Sequence, residues 1–355
     1  MKALFLITIF SFSFVGCNSQ PVDSQEEEEV PSCTFTNPVV QGADPWIIQK
    51  DGMYYASESA DGGVQTFRSE DLTEVLKSRH NSEVWRQPAT GWNSQNLWAP
   101  ELHYVEGKWF VYYTAGASGP PFISQRSGVL RALTDDPLGD FEDMGMMYTG
   151  DDIETQEDVK WAIDMTVLEH GGNLYAIWSG WEENEDTDRT PQHLYIAEME
   201  NPWTISSNRV QISSPEESWE TGTELAINEG PSVLKNDDQV FVIYSASESW
   251  LPAYNLGQLE LVGDDPMNPE SWEKSGSVFQ GTGQVYGVGH ASYTLSPDGT
   301  ENWIAYHTKV DDEPGWNRVV HLQPFSWNED GSPDFGTPVQ PRKELDLPSG
   351  ECEEE

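Results

Sequence analysis

The stretch WAIDMTVLEHGGNLYAIWSGW, Trp161 to Trp181, reads as two apolar runs folded about a Gly-Gly turn, with a single acid, Asp164, at the head of the first run. Alternating aromatic and aliphatic residues on both sides of such a turn are the pattern of a β-hairpin. The same pattern recurs. DGMYYASES from Asp51, EGKWFVYYTA from Glu106, GGNLYAIWSG from Gly171, DDQVFVIYSA from Asp237 and TENWIAYHTK from Thr300 each pass from a turn into an aromatic-rich strand, ending in small hydroxyl residues. Short apolar runs precede them: DPWIIQK, PELHYVE, DMTVLEH, EGPSVLK and HASYTLS. The turns stand 55, 65, 66 and 63 residues apart. Roughly 60 residues per unit accommodates four strands, the size of one propeller blade. An eight-strand sandwich would not repeat five matched hairpins. The expected fold is all-β, a five-bladed β-propeller over residues 34–345.

The acids follow the repeat. Asp44 stands eight residues before Gly52, Asp164 eight before Gly172 and Glu229 nine before Asp238. Glu101 stands six before Gly107, and His290 eleven before Glu301. The first strand of a blade lines the central channel, so these heads converge on one end of the axis. Any one of them alone would be a turn residue; acids at matched offsets in three units are not explained by packing. Converging carboxylates suit glycoside hydrolysis, in which one acid stays protonated for the leaving oxygen and another is ionised. A third charge between them tunes the pair, and Asp164 is the natural candidate.

At these residues the chain resembles glycoside hydrolase family 43, through GADPW, WAPEL, AIDMTV, INEGPSV, GVGHAS and a closing WNEDGSP. The resemblance implies an inverting mechanism with Asp44 as general base, Glu229 as general acid and Asp164 orienting that acid and raising its pKa. It implies carboxyl groups about 6.5–9.5 Å apart, leaving room for a water. His290 resembles a channel histidine that holds calcium or another cation through water, and Arg318 an arginine that reaches the terminal sugar. Trp46, Trp98 and Glu101 are expected beside the substrate, and Trp181 as a sugar-stacking wall. The insertions WEENEDTDRTPQH, 181–193, and SESWLPAYN, 247–255, would wall off a pocket. The substrate is then a pentose-containing oligo- or polysaccharide. No β-sandwich domain is expected after the propeller, which leans towards α-L-arabinofuranosidase; an acidic lipoprotein processing polysaccharide fragments leans towards exo-acting β-D-xylosidase. The reading settles on the xylosidase, with arabinofuranosidase as the alternative and endo-arabinanase behind it. A non-catalytic glycan-binding lipoprotein, the reading from another class, would have no need of three acids.

The remaining features concern export and partners. Met1 to Val15 is a short apolar leader, and Phe14-Val15-Gly16-Cys17 resembles a lipoprotein cleavage box that would lipidate Cys17. The expectation is a bacterial lipoprotein, monomeric, anchored at the cell surface or periplasmic face and touching the membrane only through its lipid. Residues 18–33 read as an acidic tether and 346–355 as an acidic tail. Cys33 and Cys352 flank the folded region, and an oxidising compartment permits them to pair. The 61 acids against 18 bases give a net charge of −43, which excludes nucleic acid as a partner.

Overall fold

The computed structural model describes residues 33–222 and 224–352. The leader, the Cys17 box and all of the tether except Cys33 lie outside the described residues.

Two short strands, β1 (Thr34–Thr36) and β2 (Val40–Gln41), open the chain. The first blade follows as β3 (Trp46–Lys50), β4 (Met53–Ala60), β5 (Gly63–Ser69) and β6 (Asn81–Arg86). The second is β7 (Gln95–Val105), β8 (Lys108–Gly116), β9 (Arg126–Ala132) and β10 (Phe141–Met146). The third is β11 (Ala162–His170), β12 (Asn173–Gly180) and β13 (His193–Asn201), with β14 (Thr204–Ile205) and β15 (Val210–Ser213) both on the edge of β13. The fourth is β16 (Asn228–Asn236), β17 (Gln239–Ala246), β18 (Asn255–Leu261) and β19 (Trp272–Gln280). The fifth is β20 (Tyr286–Leu295), β21 (Asn302–Lys309) and β22 (Arg318–Trp327), joined at its edge by β23 (Pro333–Asp334). All the pairings within blades are antiparallel.

The inner hairpins are tight for a local reason. Asp51-Gly52, Glu106-Gly107 and Gly171-Gly172 each place two consecutive residues at positive φ, as a two-residue turn matched to strand twist demands. The five inner strands touch in sequence, β3 to β7, β11, β16, β20 and back to β3, and so enclose the channel. Each pair of adjacent blades shares an apolar core: Val105 and Phe110 meet Met165 and Leu174 between the second and third, for example, and Ile177 meets Val242 between the third and fourth. Fully burying a side chain such as Phe241 contributes about 1.5–3 kcal/mol, so these sandwiched aromatics hold the ring together.

Closure uses both chain ends. Strand β2 adds to β22 as the outer strand of the fifth blade. Strand β1 pairs with β24 (Glu344–Asp346), and Cys33 forms a disulfide with Cys352 across a Cα separation of 5.6 Å. The tail is therefore fastened as far as Cys352. The Leu347 amide bonds the Cys33 carbonyl, and the Glu351 carboxylate accepts from the amide and hydroxyl of Thr73. A polar tail alone reads as loose; the disulfide and these bonds hold it.

Candidate active site

Every inner strand has a residue in left-handed backbone at or just before its head: Asp44 (φ 51°), Ala99 (39°), Asp164 (53°), Gly230 (53°) and His290 (47°), with Asn96 and Gly287 as second ones in β7 and β20. In β7, β11, β16 and β20 a slip in strand register falls at the same place, the mark of a bulge that re-aims a side chain. Left-handed backbone costs a non-glycine residue about 1–3 kcal/mol and persists where its surroundings over-determine it. The surroundings here are the second strands of the neighbouring blades. Thr114 accepts from the Asp164 amide at 3.0 Å, Ser245 from that of His290 at 2.7 Å and His307 Nδ1 from that of Asp44 at 3.1 Å. Ser57 and Ser179 donate to the carbonyls of Pro100 and Asn228. The hydroxyls ending the repeated hairpins are thus latches from blade to blade. Gly230 is required twice over, since a Cβ there would also come within 3.0 Å of the His290 ring.

Asp44, Asp164 and His290 occupy equivalent positions on the ring. Glu229 stands one residue before that position and Glu101 two after it, so an exact offset is not what brings them to the channel. The bulge is: it redirects successive residues by different amounts.

Around Asp44 the environment is cationic. Arg318 Nη1 donates to Asp44 Oδ1 at 3.2 Å, and His290 Nδ1 lies 3.3 Å from the same oxygen. Burial alone would push this carboxyl up, but the Arg318 charge and then His290 outweigh it and hold Asp44 well below the usual range. His307, fully buried, is pushed down to about 4 by desolvation and is neutral at pH 7. Its Nδ1 lies 3.1 Å from both the Asp44 amide nitrogen and Asp44 Oδ1, so the ring holds Asp44 by its backbone and its side chain.

Glu229 lies in the opposite environment. It is 8% exposed, and burial raises its carboxyl to about 7; the Tyr254 hydrogen bond opposes that rise and the Asp44 charge adds to it. Tyr254 Oη donates to Glu229 Oε1 at 2.9 Å, and Ser249 supplies a second hydroxyl. Asp164, also buried, is raised first by desolvation; His290 opposes, while Glu229 and Asp44 add repulsion. Its Oδ2 accepts the Gly230 amide at 3.0 Å, which fixes the backbone next to Glu229. The repulsion between Asp164 and Glu229 is mutual, so Asp164 acts on Glu229 both through its charge and through the Gly230 backbone. A parallel stack of Tyr254 on His307, 5.4 Å between centroids, joins the two sides of the cluster.

The other expected contacts divide. Arg318 is in the cluster. Trp98 is half-buried at the head of β7, edge-on to Phe122. Trp46 is not beside the acids: its indole packs between the first two blades on His103 and donates to the Leu102 carbonyl. Trp181 offers no stacking wall, because it is 1% exposed with one face covered by Trp161 at 4.3 Å. Glu101 is buried within the channel, held by His103 and Thr166 rather than presented to a ligand. Burial raises Glu101 and lowers His103, so desolvation works against the charged form of each. A cavity of about 390 Å³ lined by Trp46, His103, Thr166 and Lys235 opens in the same channel, but none of Asp44, Asp164 and Glu229 lines it.

His307, Tyr254 and Ser249 were missed from sequence. His307 had a signal: it stands where Thr114, Ser179 and Ser245 stand in other blades. Tyr254 and Ser249 belong to an irregular loop with no repeat to compare. A cation at His290 would have to be held largely through water. Calcium takes six to eight oxygens, His290 Nδ1 is turned to Asp44, and among the described residues no three His, Cys, Asp or Glu side chains form a ligand group.

The model of the glycosyl hydrolases family 43 matches residues 35–333. An extracellular exo-α-(1→5)-L-arabinofuranosidase of Streptomyces avermitilis is 35% identical over 87% of this chain and 64% of its own length. An enzyme of the same description from Streptomyces chartreusis is 34% identical over 78% of this chain and 82% of its own. Among solved structures, α-L-arabinofuranosidase from Lactobacillus brevis superposes with a TM-score of 0.78 at 32% identity, covering 87% of this chain and 98% of that one. The chain thus spans just under two thirds of the Streptomyces avermitilis enzyme.

Proposed function

Since this chain belongs to glycosyl hydrolase family 43, we propose that it is an exported, exo-acting α-L-arabinofuranosidase that works with inversion at the anomeric carbon. The observation carrying the chemistry is that one cluster drives two carboxyls in opposite directions. Arg318 and His290 keep Asp44 ionised, whereas burial and the Asp44 charge keep a proton on Glu229 near neutral pH. Asp44 takes a proton from the attacking water as its oxygen bonds to the anomeric carbon. Glu229 gives its proton to the glycosidic oxygen as that bond breaks. Asp164 positions Glu229 through Gly230, and no step is routed through calcium.

For the sugar, the arabinofuranosidase relatives at 32–35% identity outweigh the lean towards xylose drawn from the sequence. The extracellular relatives and the Cys33–Cys352 disulfide support export into an oxidising compartment; the lipid on Cys17 belongs to the same proposal. The test is a panel of 4-nitrophenyl α-L-arabinofuranoside, 4-nitrophenyl β-D-xyloside and α-1,5-arabino-oligosaccharides, with the first-formed anomer read by NMR. Arabinose released as the inverted anomer is expected. Faster cleavage of the xyloside would return the reading to xylosidase, and activity on none of them would end the enzyme reading.

A further inference from the structure

Trp316 is 63% exposed, the most exposed of the large apolar residues among the described residues. It lies in the loop 310–317 between β21 and β22, at the end of the propeller that carries the acids. Its ring meets that of Trp250 at 5.2 Å and 47°, an open corner of two indoles. Trp250 belongs to the loop 247–254 between β17 and β18, and the two loops are fastened by the Gly315 amide on the Trp250 carbonyl at 2.8 Å.

Both loops lead directly to the reacting groups. The Arg318 guanidinium lies 5.4 Å over the Trp316 ring and reaches Asp44 with Nη1. The Trp250 loop carries Ser249 and Tyr254, the two hydroxyls on Glu229. We propose that Trp316, braced by Trp250, is the platform for the sugar on the leaving-group side of the scissile bond, a pentosyl residue of an oligosaccharide; this rests on the glycosidase reading. The group that Glu229 protonates is the leaving oxygen, so the sugar bearing that oxygen lies outward from Glu229, on the side its own loop borders. An exposed indole there supplies the flat apolar face on which a sugar's C–H face stacks. The bond between the loops means that a sugar pressing on Trp316 also bears on the segment that orients Glu229.

The experiment compares Trp316→Ala and Trp316→Phe with the wild type on α-1,5-arabinotriose, which has a leaving-group sugar, and on methyl α-L-arabinofuranoside, which has none. The expected result is a fall of about tenfold in the trisaccharide-to-methyl-glycoside ratio of kcat/KM for Trp316→Ala, mostly through KM, with Phe restoring most of it. An unchanged ratio in a variant that melts like the wild type overturns the platform and leaves the glycosidase reading standing. Failure of the wild type on both substrates removes both.

Discussion

The bond from Tyr254 to Glu229 can be cut without disturbing the packing. Tyr254→Phe keeps a fully buried ring stacked in parallel on His307 and deletes only the hydroxyl 2.9 Å from Glu229 Oε1. That hydroxyl favours the ionised form of Glu229, so its removal must raise the carboxyl further above about 7. Hydrogen bonds to charged groups are worth about 1.5–3 kcal/mol, and 2.9 Å is long for one of the O–H···O⁻ type, so the lower figure applies. At 1.36 kcal/mol per pKa unit the rise is about one unit. The acid must be protonated to act, so its loss of a proton makes the alkaline limb of the rate profile. The assay is kcat/KM on α-1,5-arabinobiose, whose sugar alkoxide cannot leave without a proton, from pH 4 to 10. The expectation is an alkaline limb displaced upward by about one unit, with the acid limb in place. That limb belongs to Asp164 and Glu229 together, but the deleted bond ends on Glu229. An alkaline limb that stays put, or moves down, would refute the placement of the proton on Glu229.

Arg318→Met should act on the other limb. Losing the adjacent positive charge raises Asp44, and because the base works ionised, the acid limb should move up by about 1–3 units; a fixed acid limb would free Asp44 from the role of base. Cys33→Ser with Cys352→Ser opens a link spanning 319 residues, worth about 6 kcal/mol by chain entropy, or about 9 °C in Tm. Calorimetry under non-reducing conditions checks this, and an unchanged Tm would mean that β1–β24 and the Glu351 bonds suffice. Treatment with EDTA should leave kcat/KM unaltered, since His290 Nδ1 is turned to Asp44; a loss that added calcium reverses would place a cation beside His290.

The propeller was legible because its signal is local and repeated. Two-residue turns, alternating aromatics and terminal hydroxyls are each encoded within about ten residues, and five copies remove the ambiguity of one. Asp44, Asp164 and His290 were found for the same reason, being equivalent positions on a repeated strand. What could not be read was direction. Trp46 and Trp181 stand next to the right strands, yet one is turned between blades and the other lies beneath Trp161. An indole's facing is set by what packs on it, and that partner is remote in sequence. Glu101 was misplaced in the same way, since two residues beyond the bulge lead into the channel rather than to its mouth.

By itself, then, the sequence determined the number of blades, the strand heads and the acids that ride on them, because periodicity and turn chemistry are properties of neighbouring residues. The resemblance pointed to Glu229 as the acid, but only the tertiary structure supplies the physical reason for it to keep its proton while Asp44 loses its own. Asp44 meets Arg318 across 274 residues and His307 across 263, while Glu229 sits under Tyr254 in a loop with no counterpart in the other blades. A carboxyl's charge depends on what lies within a few ångströms of it, and closing the ring, through β2 and the disulfide, is what brings those groups together.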